Sequence, residues 1–337
     1  MTCSISIIIP TLNAGAVLEK CLASIAAQNY PKEKIEVLIV DAGSIDRTLE
    51  IVRNCGLPVR LLENPLKTGE AGKAVGLKYA SGEIIAFIDS DNELPGVNWL
   101  QKMTAPFADP EIFASDSLAY TYQKDDTIIS RYAALTANPD PVCNFTGNYT
   151  YYSYLSQRWT LRPVMAEDKG DYWKVKILDL KRIPTFGANG FMIRANILKT
   201  LEIGDYYFDI DVVQILVRSG CHFLAKVKTS IGHHFCRDYG SFIRKQLRRI
   251  RDYQYFQRLG LRHYSWGHYS FGYLKFLIYT LLVFPLIFQT FEGFFRKRDA
   301  AWFFHPVACW TTLLIYTYGT VTGWFYRGML SRRHWKQ

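Results

Sequence analysis

Along the first part of the chain, short apolar runs of strand length alternate with stretches whose apolar residues recur at helical spacing. The run SISIIIP is cut off by Pro10, and Thr11, Asn13 and Gly15 follow as turn and cap residues. Val17, Leu18, Leu22 and Ile25 then trace one face of a helix. IEVLIVD reads as a second buried strand, after which Asp46 is placed to cap a helix carrying Leu49, Ile51 and Val52. A short strand VRLLE, a loop bearing Gly and Lys (KTGEAGKAVG), a short helix through Tyr79 and the strand EIIAFID complete the series. Strands alternating with helices predict a mainly parallel sheet covered on both faces.

Two acidic signatures fall where these strands end: Asp41 in IVDAGSIDRT and the triplet Asp89-Ser90-Asp91 that closes IIAFIDSDN. A carboxylate at the carboxyl end of a parallel strand points into the crevice where open α/β sheets bind ligands. Two carboxylates one residue apart can hold a divalent cation against a diphosphate. Read this way, the strand ends form a nucleotide-diphosphate pocket; read as local structure, Asp41 and Asp46 are only turn and cap residues. A strand as apolar as IIAFI ending in two acids is costly without a ligand or partners.

In order along residues 5 to 235, the pieces IIIPTLNAG, VDAGSIDRT, GKAVGLKYASGE, FIDSDNELPGVNWL, GANGFMIR and FDIDVVQILVRSG resemble the family 2 glycosyltransferases, whose catalytic domain has the GT-A fold. The resemblance implies that Pro10, Thr11 and Asn13 line the nucleotide edge and that Asp41 hydrogen-bonds the base. Asp89 lies near the ribose or the metal, Asp91 coordinates Mg or Mn, and Lys73 either adds a positive charge or is a surface lysine. In FDIDVVQILVRSG, aligned on Arg218 and Gly220, Asp209 falls on the general base and Asp211 is the second candidate. Such a base takes the proton of an acceptor hydroxyl and inverts the anomeric centre; alternatively, Asp209 caps the helix that it opens. His233 and His234 stand where the family carries a histidine able to reach the metal, one of the two necessarily facing away. Gly187 and Gly190 bring backbone close to the donor sugar. Ala42, Val75 and Phe208 depart from the family pattern and leave the donor open.

Beyond residue 236 both the aromatic content and the charge rise, the whole chain carrying a net +10. In segment 241 to 262, Ile243, Leu247 and Ile250 share a helical face while Arg and Lys occupy the others, a pattern suited to an anionic membrane surface. Nucleic-acid binding is the rival for so basic a stretch, but no recognition motif accompanies it. Two apolar stretches follow, Phe271 to Phe291 and Ala301 to Phe325, each about the ~20 residues of a spanning helix. Lys275 and Pro285 interrupt the first, His305 and Pro306 the second. They either cross twice, with the basic flanks before the first and after the second on the cytoplasmic side, or form a re-entrant or interfacial pair. The predicted organisation is a GT-A nucleotide-sugar domain over 1–236, a basic amphipathic interfacial segment over 237–268 and two membrane-associated helices over 269–337.

The seven cysteines show no CxxC pairing or metal-ligand spacing, which fits reduced thiols. No signal peptide is visible, since the chain enters its first strand at once. The expected protein is therefore a membrane-associated enzyme with its catalytic domain on the cytoplasmic face. It would be an inverting transferase moving a sugar from a nucleotide-diphosphate sugar to a hydroxyl of a lipid-linked or membrane-associated glycan, with Mg or Mn as cofactor. The alternatives are a polyprenyl-phosphate monosaccharide synthase and a catalytically silent membrane-bound subunit that binds glycan or nucleotide. A nucleotidyltransferase is disfavoured because the loop PTLNAGAVLEK after the first strand lacks Arg.

Overall fold

The computed structural model describes residues 2–264, 270–323 and 325. Its strands are β1 (Ile5–Thr11), β2 (Ile35–Asp41), β3 (Val59–Glu63), β4 (Ile84–Phe87), β5 (Asn92–Glu93), β6 (Ile112–Tyr120), β7 (Val164–Asp168), β8 (Tyr172–Ile177), β9 (Phe191–Arg194) and β10 (Phe223–His233). They form one sheet in the order β3-β2-β1-β4-β9-β6-β10-β8-β7, with β5 paired to β10. The first four neighbours are parallel, as the alternation predicts. The rest corrects the expectation of a mainly parallel sheet: β9 runs antiparallel between β4 and β6, and β8 runs antiparallel to β10. The physical reason is that β9 and β8 arise from stretches with no crossover helix pattern before them, so nothing obliges them to run with their neighbours. β6 and β10 pair in parallel, so the carboxyl ends of β1, β2, β4, β6 and β10 meet at one edge.

Helices on both faces follow from the period-2 alternation within the strands. Ile5, Ile7, Ile9, Val37, Ile39, Ile84 and Ala86 point to one core, shared with α1 (Leu18–Ala26) through Leu18, Leu22 and Ile25 and with α2 (Thr48–Asn54) through Ile51 and Val52. Ile8, Leu38, Val40, Ile85 and Phe87 point to the other. There α3 (Gly69–Tyr79) contributes Ala74, and its Gly76 sits so close to β1 that an added Cβ would lie 2.4 Å from Ile8 Cγ2. Further along, α4 (Trp99–Thr104) seals the first core with Trp99 and Leu100. α5 (Ile128–Thr136) and α6 (Val142–Thr146) stand beyond β6, while α7 (Ala195–Leu198) and α8 (Asp209–Arg218) close the second core with Leu198, Val212, Val213, Leu216 and Val217.

The C-terminal part packs on this domain. α9 (Tyr239–Arg258) starts at a capping box in which Asp238 accepts from Ser241 N–H and the Ser241 side chain answers the Asp238 backbone. It buries Phe242, Gln246, Asp252 and Phe256, so the basic stretch expected on a membrane surface has a protein-facing side containing polar groups. The first apolar stretch is broken into α10 (Ser270–Leu282) and α11 (Phe284–Arg296), bent by 98° at Val283, whose φ is +60°. The second begins with a 3₁₀ turn over Ala300–Phe304 and continues as α12 (His305–Gly323), packed along α9. Of the two arrangements weighed from the sequence, a pair of straight crossings has no support here: among the described residues no single helix is long and apolar enough to cross a membrane, and only the bent pair passes on joint length and composition. The basic residues after the second stretch lie outside the described residues.

Ala301, Trp302 and Ala308 share a core with Ile129, Tyr132 and Phe242, and Phe276, Leu286 and Cys309 share one with Val142 and Phe145. The tail is thus welded to α5 and α6 by apolar contact. Trp302 is wholly buried while its neighbour Phe303 is half exposed. Trp302→Ala is expected to lower unfolding stability by about 3–5 kcal/mol and Phe303→Ala by less than about 1 kcal/mol, read by denaturant titration in detergent.

Candidate active site

At the carboxyl edge of the sheet lies a cleft of about 620 Å³. Pro10, Thr11 and Leu12 after β1, Asp89 to Asp91 after β4, Tyr120 at the end of β6 and His233 at the end of β10 all line it. Across from them stand Lys73 of α3, Asp209 of α8, and Lys245, Arg249 and Tyr253 of α9. The sequence-predicted acids Asp89, Asp91 and Asp209 are therefore brought together from two distant segments.

Asp41 ends β2 with its carboxylate already held. It accepts from Thr11 Oγ1 at 2.9 Å, from Ser44 Oγ at 2.6 Å and from the N–H groups of Gly43 and Ser44. Ala42 lines the cleft beside it. Asn13, in the left-handed region at φ +51°, accepts from Ile45 N–H through its side-chain oxygen and donates its own N–H to Ser44 Oγ. Asp46 accepts from Gly15 N–H and Thr48 N–H and so serves as a turn and cap residue behind the cleft. Thr68 caps α3 by accepting from Ala71 N–H, which places Lys73 one turn in.

Lys73 is buried rather than a surface lysine. Its ammonium donates to both oxygens of Asp209, at 2.8 and 3.0 Å, and lies 3.3 Å from Asp89 Oδ1. Burial disfavours its charge, but Asp209 and then Asp89 more than offset this and push its pKa up. Burial likewise raises the Asp209 carboxyl to about 7, with Asp89 adding to the effect and Lys73 opposing it. Asp209 does not cap α8, since Phe208 holds the N-cap position without any side-chain cap bond. Gly187, at φ +125°, lets the chain pass against Asp209: a Cβ there would stand 2.7 Å from the Asp209 carbonyl oxygen. Gly190 serves the core instead, against Ile231 and Trp99.

Asp211, the second base candidate, is placed elsewhere. Its carboxylate takes a bidentate contact from Arg262, 2.8 Å to Nη2 and 3.0 Å to Nε, and accepts from the N–H groups of His263 and Tyr264. It fastens the segment after α9 rather than facing the cleft.

The two histidines divide as alternation along β10 requires. His234 turns out of the cleft, with Nδ1 2.8 Å from Asp126 and Nε2 2.9 Å from Glu93, and its pKa is raised chiefly by the Asp126 contact. His233 turns in, its ring 5.0 Å from that of Tyr120 and its Nε2 3.7 Å from Asp91 Oδ2, too far for a hydrogen bond. Burial lowers its pKa and keeps the imidazole neutral, and its buried Nδ1 has no hydrogen-bond partner. On Asp91, burial is outweighed chiefly by Lys245, which holds the carboxyl below its usual range. Asp91 and a neutral His233 fit a small divalent cation that takes its remaining ligands from substrate oxygens. Among the described residues no third His, Cys, Asp or Glu joins them at metal-binding spacing.

Several residues here escaped the sequence reading. Tyr120 stacks on Tyr151 at 4.1 Å and accepts from Asn189 Nδ2, while Asn189 in turn accepts from Asn92. Lys245 contacts Asp91 from a helix read as a membrane surface element. The available signal was the capping box at Asp238 and Ser241, which starts that helix only a few residues after His233.

The raised Asp209 pKa has a stability consequence with a definite sign. Between 3.8 and about 7 the unfolded chain has lost this proton while the folded chain keeps it, so stability is present at low pH and falls as pH rises through that window. The melting temperature of the wild type should therefore decline relative to that of Asp209→Asn between pH 4 and pH 7, and parallel profiles would contradict the assignment.

Residues 6–167 match the model of the family described as Glycosyl transferase family 2. The chain is 33% identical over 137 residues to Glycosyltransferase AglE of Haloferax volcanii, an alignment covering 39% of this chain and 45% of that protein. It is 38% identical over 91 residues to the poly(ribitol-phosphate) beta-N-acetylglucosaminyltransferase TarS of Staphylococcus aureus, covering 26% and 16%. The matched stretches thus span less than half the length of these relatives. Among solved structures, the mannosyltransferase PcManGT from Pyrobaculum calidifontis, in complex with GDP-Man and Mn²⁺, superposes over 96% of this chain and 88% of that one at a TM-score of 0.53 and 15% identity, a likeness of fold. Residues 6–167 are thus similar to the family 2 glycosyltransferases, and the mixed sheet, flanking helices and acidic strand ends are consistent with the GT-A fold.

Proposed function

We propose that this protein is an inverting glycosyltransferase that moves a sugar from a nucleotide-diphosphate donor to a hydroxyl of a lipid-linked or membrane-associated glycan. The observation that carries the reading is the convergence of Asp89, Asp91, His233 and Asp209 on one cleft at the carboxyl edge of the sheet. Thr11, Asn13 and the Asp41 loop would hold the nucleotide edge. Asp91 and His233 would hold Mg or Mn, which when bound supplies positive charge to the diphosphate as it leaves.

Asp209 is suited to take the acceptor proton. A carboxyl raised to about 7 is a stronger base than an ordinary one and remains partly ionised at neutral pH. Lys73 fixes its orientation through two hydrogen bonds. A phosphate acceptor needs no base, so a tuned Asp209 favours a hydroxyl acceptor over polyprenyl-phosphate monosaccharide synthesis. It also argues against a silent subunit, in which such a group would have no use.

Membrane association is part of the proposal, supported by the outward face of the bent pair. Phe271 is 80% exposed, Phe284 75% and Phe295 76%, with Leu281, Leu282 and Phe288 between them and Arg296 at the end. An apolar face with a basic border suits an interfacial seat on an anionic leaflet. The free cysteines agree with a cytoplasmic catalytic face.

With a donor panel of UDP-, GDP- and dTDP-sugars, the released product should be a nucleoside diphosphate; release of pyrophosphate would sink the reading. Asp91→Ala should abolish transfer, and Asp209→Asn should lower kcat by about 10²–10⁴-fold with donor binding retained in thermal-shift titrations. For the membrane face, Phe284→Glu with Phe288→Glu should prevent co-flotation with vesicles containing anionic lipid. Unchanged flotation would place attachment elsewhere.

A further inference from the structure

We propose that Lys245 is the resident counter-ion of Asp91 and must yield that place to the divalent cation, so that the metal binds weakly until a diphosphate arrives with it. The inference rests on the reading of Asp91 as a metal ligand. Lys245 projects from α9 across the cleft and puts its ammonium 3.3 Å from Asp91 Oδ2, the same oxygen that His233 Nε2 approaches at 3.7 Å. A dication bound to that oxygen would share a buried space with the ammonium, where like charges repel far more strongly than in water. Both cannot keep Asp91.

A second seat for the ammonium is already present. Lys245 Nζ donates to the Phe235 carbonyl at 2.5 Å and lies 4.6 Å from the centroid of the Phe235 ring. It can therefore leave the carboxylate without losing every partner, and a diphosphate entering the cleft adds an anion for it to meet. While the cleft holds no donor, Lys245 stands as the counter-charge of the Asp91 carboxylate, closer to it than the His233 ring. Donor and metal then promote each other's binding, because each removes a penalty the other would face alone.

The test is Mn²⁺ binding to the full-length protein in detergent, without nucleotide, followed by the loss of the free-ion EPR signal. Lys245→Met keeps an unbranched side chain of similar length and removes the charge; it should bind Mn²⁺ on the order of 10-fold more tightly than the wild type. Lys245→Gln should do the same, and circular dichroism confirms that each variant is folded. Affinity in both variants equal to or below that of the wild type overturns the inference, and if Asp91→Ala still weakens binding the ligand assignment stands without it. If the gain persists in Lys245→Met with Asp91→Ala, the metal does not sit on Asp91, and both the inference and the ligand assignment fall.

Discussion

Crowding of carboxylates at one edge of the sheet is the constraint to which the rest of the cleft answers. Asp89 and Asp91 leave β4 one residue apart, and Asp209 is brought to them from the start of α8. In a buried site such repulsion is weakly screened, so the fold must supply cations or hold protons. It does both. Lys73 bridges Asp89 and Asp209, Lys245 covers Asp91, and Asp209 is raised towards neutrality. The two lysines come from α3 and α9, helices on different segments, and the positions of these helices are tied to the charge they carry.

Around this centre the supporting structure is preorganised. Thr11, Asp41 and Ser44 form a closed hydrogen-bonded set where β1 and β2 end, so the loop after β2 needs no ligand to fix its shape. Thr68 sets the start of α3 and with it the reach of Lys73. On the far side, Tyr120 at the end of β6, Asn189 just before β9 and Asn92 of β5 hold one another, and Arg262 clamps Asp211 so that the chain leaving α9 returns over α8. The C-terminal segments complete the wall: α12 packs on α9, and Gly319 admits Ile250 so closely that a Cβ would stand 2.5 Å from its Cγ2.

Most of the N-terminal half was legible because its signals are local. Alternation in IIIP, VLIV and IIAF splits each strand between two cores, and the acids at their ends could be placed on one edge from strand direction alone. Asp209 and Lys73 were both found, although their pairing was not, because a contact across 136 positions leaves no periodic trace. His233 and His234 could be told apart only with the register of β10 in hand, where one faces Asp91 and the other Glu93 and Asp126. The cleft-facing role of Lys245 on the basic helix was hidden because Arg and Lys facing an acidic cleft have the same spacing as Arg and Lys facing a lipid headgroup.

By itself the sequence determined which segments become strands and helices, which acids stand at strand ends and how residues 5 to 235 resemble a glycosyltransferase. These follow from short-range periodicity and from motifs read within a few residues. Tertiary structure decided the inverted direction of β9, the ion pairs of Lys73 and Lys245, the inward turn of His233 and the break at Val283. Each depends on which distant side chain occupies the neighbouring space, and in a close-packed interior that is set by the whole fold rather than by any window of the chain.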